Sequence, residues 1–239
     1  MMTRFIITFL FSQLVISLSA QFSVGVRYGY ANCGIHLEAQ AFDLEYYQTD
    51  FYLPQAGLVV AFNNKRNAGL QMEFIYAQKG WKEIDDTFPE LYFSRAINYL
   101  EIPVFSHFEI GHGPIRPVIL VGPYVAFKLS ESADSNNFNH PNDYDQYHQE
   151  VRNISLGLKA GIGLRYNINK RMAIFAEGRY DIQIAGSGDI FADRPNGIQA
   201  SRLKEISGTF GILWHIIPQT PPEEKKGYVP KENLYDLEE

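Results

Sequence analysis

Between Gln21 and about Ile217 the chain repeats one pattern eight times: a stretch of alternating apolar and polar residues, then a connection that is by turns long and short. The alternating stretches run approximately 22–30, 51–62, 69–78, 97–110, 114–128, 153–166, 172–184 and 203–216. The long connections are 31–50, 79–96, 129–152 and 185–202, and the short ones are 63–68, 111–113 and 167–171. A side-chain period of two marks strands, because successive side chains point to opposite faces. Strands joined by hairpins that are trimmed at one end and elaborated at the other match outer-membrane barrels, which have short periplasmic turns and longer outer loops. The expected fold is all-β: an eight-stranded antiparallel up-and-down transmembrane β-barrel with short periplasmic turns and long extracellular loops.

Parity sorts the chemistry into two faces. Leu100, Ile102, Val104, Phe108 and Ile110 oppose Glu101, His107 and Glu109; Leu156, Leu158, Ile162 and Leu164 oppose Ser155, Lys159 and Arg165; Ile174, Ala176, Tyr180 and Ile182 oppose Glu177, Arg179, Asp181 and Gln183. Alternation alone fits a soluble barrel with an apolar centre around a ligand as well as a membrane barrel with an apolar exterior. Aromatic placement favours lipid. Phe22, Phe62, Phe108, Tyr166 and Trp214 fall towards the short-turn end of the apolar face, and Tyr28, Tyr52, Tyr76, Phe127 and Tyr180 towards the long-loop end. Two such bands suit the two headgroup regions. The polar face is then a crowded lumen, and an ion-paired network of Arg27, Glu73, Glu101, Arg116, Lys159, Arg165, Glu177, Arg179 and Glu205 is expected to fill it, since eight strands leave only enough interior for side chains. Gly25, Gly29, Gly57, Gly69, Gly157, Gly161 and Gly163 share that face and make room for long polar chains.

Residues 1–20 predict a signal peptide: Arg4, an apolar run from Phe5 to Leu18, then Ser19-Ala20. Residues 21–217 form the barrel. Residues 218–239 depart from a barrel that ends at an aromatic strand, because Pro218 onwards is rich in proline and charge; an extended periplasmic tail is expected, either with Tyr228, Tyr235 and Leu237 as a docking motif for a membrane or periplasmic partner or as a free solubilising segment. The net charge of −6 and the absence of a basic run exclude nucleic acid as a partner. The single cysteine, Cys33, excludes a disulfide framework and stands at the start of the first long connection, where an exposed thiol could cross-link partners.

Several stretches resemble the PorT family of outer-membrane β-barrels from Gram-negative bacteria of the Bacteroidota type. They are Leu70-Gln71-Met72-Glu73-Phe74-Ile75-Tyr76-Ala77-Gln78-Lys79-Gly80, Tyr99-Leu100-Glu101-Ile102-Pro103-Val104, Val121-Gly122-Pro123-Tyr124 and Gly161-Ile162-Gly163-Leu164, in the family's order over about 22–216. The resemblance implies an eight-stranded barrel in the lipid of the outer membrane and an association with type IX secretion and gliding. It also carries over Glu73 and Glu101, which share the interior face of adjacent strands. Each is expected to pair with an interior base such as Arg27, Arg116, Lys159 or Arg179, against the alternative of a carboxylate pair for acid–base work. Pro103 suggests a bulge.

No catalytic set, cofactor or metal site is expected. His107 and His215 could join Glu109 and Ser207 in a hydrolytic site, but Ser207 and His215 lie eight residues apart on one strand, roughly 26 Å. The acidic loop holding Asp134, His140, Asp143, Asp145, His148 and Glu150 lacks the glycine and terminal glutamate of an EF-hand. Gly186-Ser187-Gly188-Asp189 is loop punctuation, because no helix pattern follows to make a phosphate cradle. The expected role is therefore a non-enzymatic structural or accessory outer-membrane subunit, with a small porin-like channel and a lipid-active enzyme as the alternatives.

Overall fold

The structure is a computed structural model that describes residues 21–39, 47–63, 68–84, 88, 90–136, 150–183 and 198–216. The signal segment 1–20, the tail 218–239, most of the acidic loop and Gly186 to Asp189 lie outside the described residues. Among the described residues there are nine strands: β1 (Gln21–Ala39), β2 (Tyr47–Thr49), β3 (Phe51–Asn63), β4 (Ala68–Ile84), β5 (Tyr92–Glu109), β6 (Ile115–Asn136), β7 (Ile154–Asn167), β8 (Met172–Gln183) and β9 (Ile198–His215). From β3 to β9 each strand pairs antiparallel with its successor, and β1 pairs with both β3 and β9, which closes the ring. The three-residue β2 lies next to β3 beyond Asp50 and pairs with β4, so nine segments make an eight-stranded wall.

The ring is staggered. Ala68 partners Phe108, and the line continues through Ile119, Ile162, Gly178, Gly208, Tyr30 and Pro54. The β3–β4 register ends at Gln55↔Ala77, and one further step along it brings the line to Gln78 on β4, ten residues along from its start. Such a stagger requires strongly tilted strands and a narrow barrel.

Outside, the wall is apolar between two aromatic bands. Phe22 and Phe62 stack at 5.0 Å near the short turns, with Phe108, Tyr166 and Trp214 exposed at the same end. Tyr28, Tyr52, Tyr76, Phe127 and Tyr180 form the other band, and Leu58, Phe74, Val121, Leu158, Ile162 and Phe210 are exposed between them. A continuous apolar surface of this kind is untenable in water and suits acyl chains. The apolar face is therefore outside.

The wall extends further than sequence alternation suggests. Much of the expected loops 31–50, 79–96, 129–152 and 185–202 is strand, because β1, β4, β5, β6 and β9 continue past the tyrosine band. The period of two persists there while the chemistry of the two faces changes places. Outward positions become polar, as at Asn32, Gln78, Lys82, Ser94, Asn98, Ser132 and Asp134. Inward ones become apolar: Ile35, Trp81, Phe93, Ile97, Tyr99 and Leu203 pack together with Tyr124, Ala126 and Val151. Above the hydrocarbon the wall meets water, so the hydrophobic effect turns those side chains inward.

Two smaller expectations are corrected. The β4–β5 register runs unshifted through Pro103, from Met72↔Val104 to Ile75↔Glu101; the irregularity lies instead between Asn98 and Tyr99 on the β6 side. Cys33 is not in a loop but buried in β1, packed with Ala31 and Leu53, so it offers no exposed thiol.

The face assignment predicts position-dependent tolerance of charge. Ile162→Arg, on a residue 70% exposed within the apolar belt, should lower unfolding stability in lipid vesicles by about 2–4 kcal/mol, whereas Ser132→Arg, beyond the tyrosine band, should change it by less than about 1 kcal/mol.

Candidate functional site

The inward face of the wall carries charged side chains in three tiers between the short turns and the apolar cap. Nearest the turns, Glu109 at the end of β5 collects four donors. Asn63 Nδ2 donates at 2.9 Å, Arg116 Nη1 at 2.9 Å, His107 Nε2 lies at 3.2 Å, and Arg165 pairs with the same carboxylate. Arg116 and Arg165 are direct cross-strand partners, and the shared glutamate offsets their repulsion. Beside them, Ser23 Oγ and His215 Nδ1 are hydrogen-bonded at 2.7 Å.

The middle tier centres on Glu73. Arg179 grips it in bidentate fashion, Nη1 at 2.7 Å and Nη2 at 2.6 Å, and also donates to Glu177 from Nε at 3.1 Å and Nη2 at 2.5 Å. Arg27 pairs with Glu73 and donates to Gln55 Oε1 at 3.1 Å. Gln71 Nε2 adds a bond to Glu73 at 2.6 Å. The parallel donors of a guanidinium match a carboxylate, which is why arginines rather than lysines bridge this tier. The Arg179 guanidinium also lies 4.7 Å over the Phe105 ring.

The outer tier holds three carboxylates and two ammonium groups. Lys79 Nζ pairs with Glu101, with Asp181 at 2.7 Å and with Glu205 at 2.8 Å. Lys159 Nζ donates to Glu101 at 2.7 Å and lies 3.5 Å from Glu205 and 3.9 Å from Asp181. Both lysines sit on the Tyr124 ring, at 4.9 and 5.2 Å. Glu101, Asp181 and Glu205 offer oxygens within 4.8 Å of one another, a spacing that could hold a metal ion. Lys79 and Lys159 already lie among those oxygens, so a metal would have to displace them.

The expected network residues thus fall into separate tiers: Arg116 and Arg165 in the first, Arg27, Glu73, Glu177 and Arg179 in the second, Glu101, Lys159 and Glu205 in the third. Glu73 and Glu101 do not meet as a carboxylate pair; each has its own bases. Sequence reasoning missed Lys79, which it left in a long connection; the even–odd spacing of Glu73, Ile75, Ala77 and Lys79 on one face was the available signal. Ser207 is buried with no hydrogen-bond partner for its Oγ among the described residues, while His215 is taken up by Ser23, so the hydrolytic set does not assemble. Tyr228, Tyr235 and Leu237 lie outside the described residues.

Across the tiers Arg27, Lys79, Arg116, Lys159, Arg165 and Arg179 stand against Glu73, Glu101, Glu109, Glu177, Asp181 and Glu205, so the charges balance. Glycines give the long chains their space. A Cβ at Gly161 would fall 2.8 Å from Arg179 Cγ, and one at Gly157 would fall 2.4 Å from the Tyr124 ring. Chemically the lumen is a set of fixed, mutually neutralised ions beneath an apolar cap.

Breaking one partner should be costly. Arg179→Met leaves Glu73 and Glu177 short of a base in a dry interior, and should lower stability by about 3–5 kcal/mol in denaturant unfolding of the vesicle-bound protein. Gly157→Val should also destabilise it, by pushing Tyr124 from under the two lysines.

The sequence profile of the outer membrane protein β-barrel domain family matches residues 11–185. Among solved structures, OprG of Pseudomonas aeruginosa is 14% identical and aligns over 82% of this chain and 96% of its own, with a TM-score of 0.46. Outer membrane protein W of E. coli is 15% identical over 82% and 97%, TM-score 0.42. Ail, the attachment invasion locus protein of Yersinia pestis, is 13% identical over 81% and 98%, TM-score 0.39. No curated protein matches the chain.

Proposed function

From the premise that this chain belongs to the outer membrane protein β-barrel domain family and sits in the outer membrane of a Gram-negative bacterium, we propose that it is a non-enzymatic, non-conducting structural subunit. Its rigid wall would present outer segments to partners outside the cell and its turn end to partners in the periplasm. The PorT-like stretches support a place in a secretion or gliding-associated complex of the type IX kind.

One observation carries this reading: the lumen is filled by ion pairs that cross it. Lys79 on β4 reaches Asp181 on β8 and Glu205 on β9, and Arg179 on β8 reaches Glu73 on β4. A permeating ion would have to part buried pairs whose separation leaves uncompensated charge, at a cost of several kcal/mol. The apolar layer of Ile35, Trp81, Ile97, Tyr99 and Leu203 would add a second barrier on the outer side. The porin-like alternative needs a continuous wet path, and the tiers stand across it.

The enzymatic alternative lacks support for a different reason. Ser23 and His215 are hydrogen-bonded, but both are buried inside the wall, so a lipid in the membrane has no access to them.

Two measurements test the proposal. In planar bilayers the purified protein should give no stable, reproducible single-channel currents; reproducible unitary steps would establish the channel reading instead. Affinity purification from native outer membranes under mild detergent should recover a defined set of protein partners. Recovery of the barrel alone, at native abundance and with lipid retained, would contradict the structural-subunit role.

A further inference from the structure

β6 runs far beyond its neighbour on one side. Its last partner on β7 is Phe127↔Ile154, while its pairing with β5 continues to Tyr92↔Asn136. Lys128 N still donates to Asn153 O at 2.8 Å, and its Nζ donates to Val151 O at 2.9 Å. From Leu129 to Asn136, among the described residues, the backbone pairs with β5 alone and every residue is exposed. On the opposite flank β2 covers the edge of β4 at Lys82, Glu83 and Ile84. Among the described residues the protruding sheet therefore has one covered edge and one open one, and the open one lies past the tyrosine band, in water. A row of unpaired N–H and C=O groups is a template for another strand.

The charges on and around that edge select the strand. Glu131 and Asp134 lie on it, and the other exposed charges described at this end are Asp50, Glu90, Glu150 and Lys204. A second copy of the chain would bring acid edge to acid edge, and like charges on facing strands are destabilising. A polyanion meets the same repulsion. We infer that the β6 edge, Leu129–Asn136, is a strand-addition site for an extended cationic segment of a partner protein outside the cell. Main-chain hydrogen bonds to the edge would hold the segment, and lysine or arginine side chains meeting Glu131 and Asp134 would set its register. Those two acids already have partners: Glu131 with Arg95 at 3.1 Å and with Lys128 at 3.7 Å, and Asp134 with the Tyr92 hydroxyl at 3.0 Å. They are thereby held in place on the sheet before any partner arrives.

The inference rests on the structural-subunit reading, and its test separates the two. Full-length protein in lipid nanodiscs is titrated with a synthetic peptide carrying lysine at every third position and valine between, the spacing of Glu131 and Asp134 on the two faces of the edge, with the glutamate–valine counterpart as control, and followed by residue-resolved hydrogen–deuterium exchange. The cationic peptide should slow exchange at Leu129–Asn136 by at least about tenfold, and the double variant Glu131→Gln, Asp134→Asn should weaken its binding about tenfold or more while keeping the wild-type heat-modifiable gel migration. Protection elsewhere, no protection at millimolar peptide, equal binding of the glutamate peptide, or concentration-dependent pairing of two barrels through this edge would each overturn the inference. Partner recovery from native membranes that survives the double variant would sink the edge site and leave the structural-subunit reading standing.

Discussion

In hydrocarbon there is no water to satisfy a peptide group, so a chain that crosses with strands must close every ladder on itself. The closure of β1 on β9, from Ser23↔His215 to Ala39↔Ile198, meets that demand, and it leaves each side chain only two places to be. One is the acyl region and the other a narrow lumen that side chains fill. Leu158 and Ile182 go one way, Lys159 and Asp181 the other, because the alternate choice would put charges into lipid. The ion-paired lumen follows from the closed ring, since charges confined in a narrow barrel persist only in each other's company.

The arrangement of those charges then decides what the barrel can do. Separate tiers with matched charge span the lumen from wall to wall, and small residues such as Gly157 and Gly161 let bulky partners interlock across it. At the outer end the apolar cap joins β1, β4, β5, β6 and β9 into a protruding wall that is polar without and greasy within.

Much of this was legible in the sequence. Alternation in the stretches around Glu101, Lys159 and Arg179 located the strands and their faces, and the aromatics at the stretch ends told lipid from ligand. Other features were illegible for a physical reason. A periodic reading assumes that one face keeps one chemistry, so it ends a strand where Lys79 gives way to Trp81 on the inner face, although the strand continues into water. That assumption hid Lys79, the base that holds three carboxylates together. Pairing across the lumen was also out of reach, because which of several arginines meets Glu73 depends on the ten-residue stagger rather than on any local pattern.

The two faces of the wall exchange character along a single strand, and β4 crosses that boundary between Tyr76 and Lys82. Nitroxide labels placed singly along β4 in lipid bilayers would read it through oxygen and water-soluble nickel-chelate accessibility. Leu70, Phe74 and Tyr76 should be open to oxygen only, Lys82 to the chelate, and Glu73, Lys79 and Trp81 to neither. Chelate access at Glu73 and Lys79 would mean a wet lumen, and oxygen access at Trp81 would mean that the wall does not turn inside out above the membrane; either result would contradict the account.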